Sequence, residues 1–510
     1  MSAPWLLAMG CVVVASSLFL IKRNMLPHPP GPRPLPIIGN LFDLPKEASW
    51  LTYTEWAKTY GDIVSVSVLG QVIVVANTAK VAKELLEKRG TIYSDRPSIP
   101  FYDMMKWDWF LATAHYSDEW RTGRRILDHG MRPAAVLKYR GLQIDRTRAF
   151  LKRLLTHPEG FRDHIGHLQG EIIMSLVYGY DVQEHNDRYL NIAHAAVALA
   201  AESSLPGAAI VNVFPFLRYF PGWLPGMGFK ALALKGRELG EEMVTAPFEF
   251  VKAQMRQGTA RPSFTVDSLQ EYDDLGGGPE HAERTVANVA GSLYMAGADT
   301  TSAGISMFFL MLLMHPDVQK RAQAELDAVV GRERMPTYED RPNLPYIEAV
   351  CKELLRWKMV APLGIGRATT ADDVYQGYFV PKGAIVLANS WAILHDASTY
   401  PDPDEFKPER FLDADGSVRD DPALSAAFGF GKRICPGRHL VDTTMWIVAA
   451  CVLSVYGIRP AKDEHGQDMI VKPDFTGALV SSPKPFRCSI APRDGVAEKL
   501  ILGYVRDKSE

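Results

Sequence analysis

The chain has 510 residues, 47% of them hydrophobic and 23% charged, an ordinary globular composition with material for a large core. Its formal net charge of -3 gives no electrostatic reason to expect nucleic-acid binding. The five cysteines (Cys11, Cys351, Cys435, Cys451, Cys488) are scattered, without a CxxC pair or close Cys/His cluster, which argues against a zinc site or disulfide framework.

Residues 3–21 are nearly all apolar and uncharged, and Lys22 and Arg23 follow at once. A helix of about 19 residues rises roughly 28 Å, enough to span a bilayer. A cleaved signal peptide normally carries its charge before the apolar run, and residues 1–5 carry none. We therefore expect a retained transmembrane signal anchor over 3–21, with the following chain on the cytosolic side. Residues 22–36 hold Pro27, Pro29, Pro30, Pro32, Pro34 and Pro36; fixed φ and missing donors predict a stiff, extended hinge. Residues 37–510 read as one continuous unit.

Within that unit, 62–75 is valine-rich around Leu69-Gly70, which predicts a two-stranded hairpin. Helical patterning dominates afterwards, over 81–89, 230–255, 284–314, 317–330, 347–358 and 437–456. The segment 258–280, rich in Gly, Pro, Ser and Asp, reads as an exposed connection. Strand character returns over 375–391 and around 475–490. The expected fold class is mainly α with small β-sheets.

Four motifs carry chemistry. Trp120 and Arg124 stand four apart on a helix and can reach one carboxylate. The apolar helix over 284–314 is interrupted by Ala296-Gly297-Ala298-Asp299-Thr300-Thr301, and Ala296, Thr300 and Gly304 form a stripe of small residues. Glycine and threonine weaken a helix, so either close helix packing or a functional groove requires the space. Glu353 and Arg356 share a helix face and can pair, and Arg410 follows in Pro408-Glu409-Arg410-Phe411. Last comes Phe428-Gly429-Phe430-Gly431-Lys432-Arg433-Ile434-Cys435-Pro436-Gly437, a glycine-rich loop feeding an apolar helix. Its amides and the helix N-terminus favour thiolate over thiol, and a buried thiolate needs a cation.

This last pattern resembles the cytochrome P450 signature Phe-x-x-Gly-x-Arg-x-Cys-x-Gly, filled by Phe428, Gly431, Arg433, Cys435 and Gly437, and the other motifs match in order from about Pro29 onward. The resemblance implies the cytochrome P450 fold with haem as cofactor and Cys435 as axial ligand of its iron. Arg433, Trp120, Arg124 and Arg367 would partner the haem propionates, while Phe428 would pack beside the sulfur in the loop that Gly431 and Gly437 shape. Glu353, Arg356 and Arg410 would form a structural triad. Thr300 would hydrogen-bond the oxygen being activated and Asp299 would relay protons to it.

Such a monooxygenase takes electrons from NADPH. With no GxGxxG fingerprint in the sequence, the resemblance implies a separate NADPH-cytochrome P450 reductase on the same membrane, that of the endoplasmic reticulum. Lys432, Arg433, Arg438, Arg121 and Arg125 are candidates for its docking face. The aromatic segment 97–118, with 361–365 and 476–480, would line an apolar pocket for a lipophilic substrate, and 214–229 would dip into the membrane. Segments 362–365, 373–378 and 389–392 are similar to those of basidiomycete secondary-metabolism members, which implies a terpenoid substrate, with an indole, polyketide, lipid or xenobiotic as alternatives. A haem-thiolate isomerase or dehydratase acting without O2 is a further alternative, against which Asp299-Thr300 argues.

Overall fold

A computed structural model describes residues 26–503, apart from 203–205, 274, 276 and 478. The expected anchor over 3–21 lies outside the described residues. The helices that matter for the site are α1 (Ser49–Tyr60), α2 (Pro100–Met105), α3 (Asp118–Met131), α4 (Arg140–Thr156), α5 (Phe161–Tyr178), α6 (Phe229–Gln257), α7 (Pro279–Met314), α8 (Pro316–Val329), α9 (Pro345–Trp357) and α10 (Arg438–Val455). The strands are β1 (Ile63–Val68), β2 (Gln71–Ala76), β3 (Arg367–Ala368), β4 (Asp373–Tyr375), β5 (Tyr378–Val380), β6 (Ile385–Ala388), β7 (Tyr456–Pro460) and β8 (Cys488–Pro492). The molecule is mainly helical with small sheets, as the periodicities indicate.

The helix α7 organises the whole. Its 36 residues rise about 54 Å. One half packs with α4, α5 and α10 in a core holding Phe150, Leu168, Ile305, Phe309 and Trp446. The other half packs with α2, α3 and α6 around Phe101, Trp107, Ile126, Met243 and Leu293. Both α7 and α10 are long and apolar enough to cross a membrane, yet most of each apolar window is buried inside the protein. Their hydropathy is that of core helices.

A third core lies under the four-stranded sheet of order β1-β2-β6-β3 and joins Val74 and Val386 to Trp50, Leu85 and Phe411. The predicted hairpin forms in the expected place, Val68 opposite Gln71. Leu69 and Gly70 both have positive φ, as a two-residue type I′ turn requires. β6 then pairs parallel to β2 and antiparallel to β3, which carries Arg367 into the interior.

Three local expectations are revised, over 258–280, 375–391 and 475–490. The proline segment is tied to the sheet: Pro27 O accepts from Phe379 N at 2.8 Å and Pro30 O from Ser65 N at 2.9 Å. A Cβ on Gly31 would meet Ser65 O at 1.9 Å, so the arm lies tight along the sheet. The exposed connection over 258–280 contains a helix, Phe264–Glu271, capped by Ser263 and anchored by buried Phe264 and Val266. The strand run over 375–391 ends at Ala388, because the Asn389 side chain accepts from Ala392 N and caps a short helix, Ser390–Leu394. Around 475–490, only the Phe475–Pro483 bridge and the start of β8 have strand pairing among the described residues.

Candidate active site

The cysteine loop is shaped by its glycines. Gly431 has φ +52°, and a Cβ there would lie 2.3 Å from Leu86 O, so backbone meets backbone with no side chain between. The turn closes when Cys435 N donates to Phe428 O at 2.9 Å and Ile434 N to Gly431 O at 3.0 Å. Gly437 is less constrained: its missing Cβ would stand 3.9 Å from Cys435 Sγ, an ordinary contact. The backbone amides of Gly437 and Arg438 point at the sulfur, as the sequence suggests. Burial nevertheless outweighs those amides and the nearby Arg124 and Arg438 guanidiniums, and the thiol is pushed up from its ordinary value. A cation bound to the sulfur has to supply the remainder.

Around this loop, besides Arg438 at its end, the structure gathers four guanidiniums. Arg433 donates to Ser94 O at 2.9 Å, Leu111 O at 3.2 Å and Ala114 O at 2.9 Å, and stacks 3.9 Å over the Trp120 ring. Arg124 donates to Ile434 O at 2.7 Å and pairs with Asp128. Arg367 bonds Leu86 O and Phe430 O. The fourth, Arg96, bonds Ala112 O, Ile365 O and Gly366 O. Burial, then repulsion from neighbouring guanidiniums, lowers the proton affinity of three of them: Arg433 falls to about 9, Arg367 to about 10, and Arg96 well below its ordinary value. Only Arg124 has a carboxylate within ion-pair distance among the described residues.

Burying cations this way is costly unless anions join them, so the cluster fits a dianionic group seated against the cysteine. Haem, with two propionates and an iron for the sulfur, has that form. The Trp120 indole N–H donates to Leu111 O at 3.0 Å, and Arg124 reaches Ile434 O on the cysteine loop. Arg96 was missed by the sequence reading, because Asp95-Arg96 beside a proline looks like a solvated pair.

Glu353, Arg356 and Arg410 do come together. Glu353, fully buried, accepts from Arg356 Nε at 2.6 Å and Nη2 at 3.0 Å, Arg410 Nε at 3.1 Å and Lys407 N at 2.8 Å. The remaining guanidinium donors reach the carbonyls of Leu394, Glu405, Pro401 and Asp402. This lattice fixes α9 to the 401–411 segment that leads into the cysteine loop.

On α7, Asp299 is exposed, Thr300 is half-buried and donates from Oγ1 to Ala296 O at 3.0 Å, and Thr301 is buried. The small-residue run is partly a packing feature. Gly297 serves helix packing, since a Cβ there would meet Ile173 Cδ1 of α5 at 2.7 Å. Ala296 and Asp299 are exposed and Thr300 half-buried.

The family model for cytochrome P450 matches residues 29–490. A cytochrome P450 monooxygenase of Ampulloclitocybe clavipes is 43% identical over 486 residues, covering 95% of this chain and 89% of that one. A second, from Coprinopsis cinerea, is 40% identical over 96% of this chain and 94% of its own. Tryptamine 4-monooxygenase of Psilocybe cyanescens is 38% identical over 97% and 98%. The match runs unbroken from the proline arm through the Glu353 helix to the cysteine loop, and the chain belongs to the cytochrome P450 family, whose fungal monooxygenases it resembles along nearly its full length.

Proposed function

We propose that this chain is a haem-thiolate monooxygenase of the endoplasmic reticulum membrane, anchored by residues 3–21 with its catalytic domain toward the cytosol. It oxidises a lipophilic small molecule of fungal secondary metabolism, a terpenoid first, using O2 and electrons passed from NADPH by a separate reductase. The observation that carries this reading is the Cys435 loop set against three buried arginines, Arg96, Arg367 and Arg433, and the half-buried Arg124, with a single ion-paired carboxylate among them. Haem held through a thiolate supplies the activation of O2 when bound.

The chain's own residues do the rest. Cys435 Sγ holds the metal. Arg96, Arg124, Arg367 and Arg433 hold the propionates, Trp120 backs Arg433, and Phe428, Gly431 and Gly437 keep the loop's shape. Thr300 keeps its proton on Ala296 O and leaves its lone pairs free to accept. Asp299, exposed beside it, exchanges protons with water and hands them toward Thr300. Exposed Phe216, Tyr219, Phe220 and Trp223 form an apolar ridge before α6, suited to lie in the interfacial region of a bilayer and admit lipophilic molecules. Lys432, in the cysteine loop, and Arg125, on α3, are exposed and suit an acidic reductase face, whereas Arg121 is paired with Asp118. One observation favours a second substrate class: the likeness to a tryptamine 4-monooxygenase supports an indole amine.

The test uses the full chain in vesicles with reductase and NADPH, offered a terpenoid panel and tryptamine, with O2 uptake, NADPH oxidation and product measured together. Product formation that requires both O2 and NADPH is expected. Thr300→Ala should keep NADPH oxidation and lower product per NADPH by about tenfold or more. Turnover independent of O2 contradicts the reading.

A further inference from the structure

The small residues of α7 continue one turn beyond the stripe. Ser292, four residues before Ala296 and eight before Thr300, stands on the same side of the helix, about 12 Å along the axis from Thr300. It is buried, and its hydroxyl is saturated by one backbone segment: it accepts from Leu111 N at 3.1 Å and donates to Trp109 O at 3.1 Å. The carbonyl of the same Leu111 reaches the opposite wall. Leu111 O accepts from Trp120 Nε1 at 3.0 Å and from Arg433 Nη1 at 3.2 Å, two residues before Cys435.

Side-chain packing repeats the arrangement. Trp109 lies against Gly291, where a Cβ would come within 3.4 Å of Cζ3. Trp107 is locked into α6, donating from Nε1 to Gly236 O at 2.9 Å and filling the space of a Cβ on Gly240. Between these two anchors the segment 107–111 has no regular secondary structure of its own. Its position over the site is therefore set by tertiary bonds, and among its backbone contacts to α7 the Ser292 pair is the one that fixes both sides of Phe110.

We infer that Ser292 is a positioning residue for substrate size. Its hydroxyl pins the 109–111 peptide groups as a fixed wall between α7 and the Arg433 end of the cysteine loop. Serine is suited to this because one hydroxyl offers both the donor and the acceptor that the two peptide groups need. Without it, a carbonyl and an amide lose their partner together, and the wall can yield to a bulkier molecule. The inference rests on the haem reading only for the position of the pocket, because the tie itself stands on the hydrogen bonds.

The experiment compares wild type, Ser292→Ala and the control Ser302→Ala, whose hydroxyl donates to Ala298 O within the helix. Full-length protein is titrated with imidazole and with clotrimazole, a small and a bulky iron-ligating azole, and the Soret shift gives the two Kd values. Hydrogen exchange across 107–114 is followed in parallel. For Ser292→Ala we expect the ratio of clotrimazole Kd to imidazole Kd to fall at least about fivefold, with faster exchange at Leu111. The reduced carbon-monoxide spectrum should be retained, and Ser302→Ala should match wild type. A ratio within about twofold of wild type, or unchanged exchange at Leu111, overturns the proposal alone. A wild type that shows no Soret shift with imidazole overturns the haem reading and the proposal with it.

Discussion

Replacing Glu353 by glutamine keeps the side chain's shape and removes its charge. The native carboxylate takes four donors, three of them on Oε1 and Arg356 Nε on Oε2. An amide offers one oxygen and one NH2, so with the oxygen on the crowded side the NH2 faces the Arg356 Nε–H, donor against donor. Arg356 is fully buried and the Arg410 side chain only 9% exposed, so solvent cannot replace the lost charge. Removing one partner of a buried pair costs about 3–5 kcal/mol, a large share of the ~5–15 kcal/mol that holds a domain folded. With an unfolding slope of about 3 kcal/mol per molar urea, the midpoint should fall by about 1–2 M. Tryptophan fluorescence of the detergent-solubilised chain in urea measures it. A midpoint unchanged within about 0.3 M refutes the claim that the triad carries this part of the fold.

Three further outcomes are expected. Gly431→Ala forces a left-handed backbone onto a residue with a Cβ, costing about 1–3 kcal/mol, and drives that Cβ into Leu86 O; the purified variant should carry less haem per chain than wild type. Arg96→Leu removes one of the four cations and should weaken haem retention, read as faster transfer to apomyoglobin, whereas equal transfer rates contradict its placement. His395, stacked on Trp391, is lowered to about 3 by burial and then by Arg356 and Lys358. The folded state resists a proton that the unfolded chain accepts near pH 6.5, so His395 favours folding above that pH and the benefit declines as pH falls toward 3. At pH 5 the loss is about 2 kcal/mol. His395→Gln should flatten the acid limb of urea stability between pH 6.5 and 5, and identical limbs for both proteins contradict this.

Much of the architecture is legible from periodicity. The α7 and α10 runs are long and apolar because core surrounds them, and the hairpin declares itself by valines on either side of Leu69-Gly70. The strands flanking Gln376-Gly377 are harder to read, since three residues each leave no period to count. The helix Phe264–Glu271 hides in polar composition because only Phe264, Thr265, Val266 and Ser268 face inward. At the site, the signature residues are legible because they sit in one short loop. Arg96 is not, since its partners Ala112, Ile365 and Gly366 are backbone carbonyls from distant segments, and a carbonyl leaves no trace in residue type. Ser292 is invisible for the same reason. The loop's amides are legible around Cys435, whereas the degree of burial that opposes them comes only with the fold.

The central claim is that Cys435 Sγ holds a haem iron. The most direct measurement is the carbon-monoxide difference spectrum of the reduced full-length protein, wild type against Cys435→Ala. The account predicts a thiolate-type Soret band in wild type that is absent from the variant, with the far-ultraviolet circular dichroism of the two proteins unchanged. The same band in both proteins would contradict it.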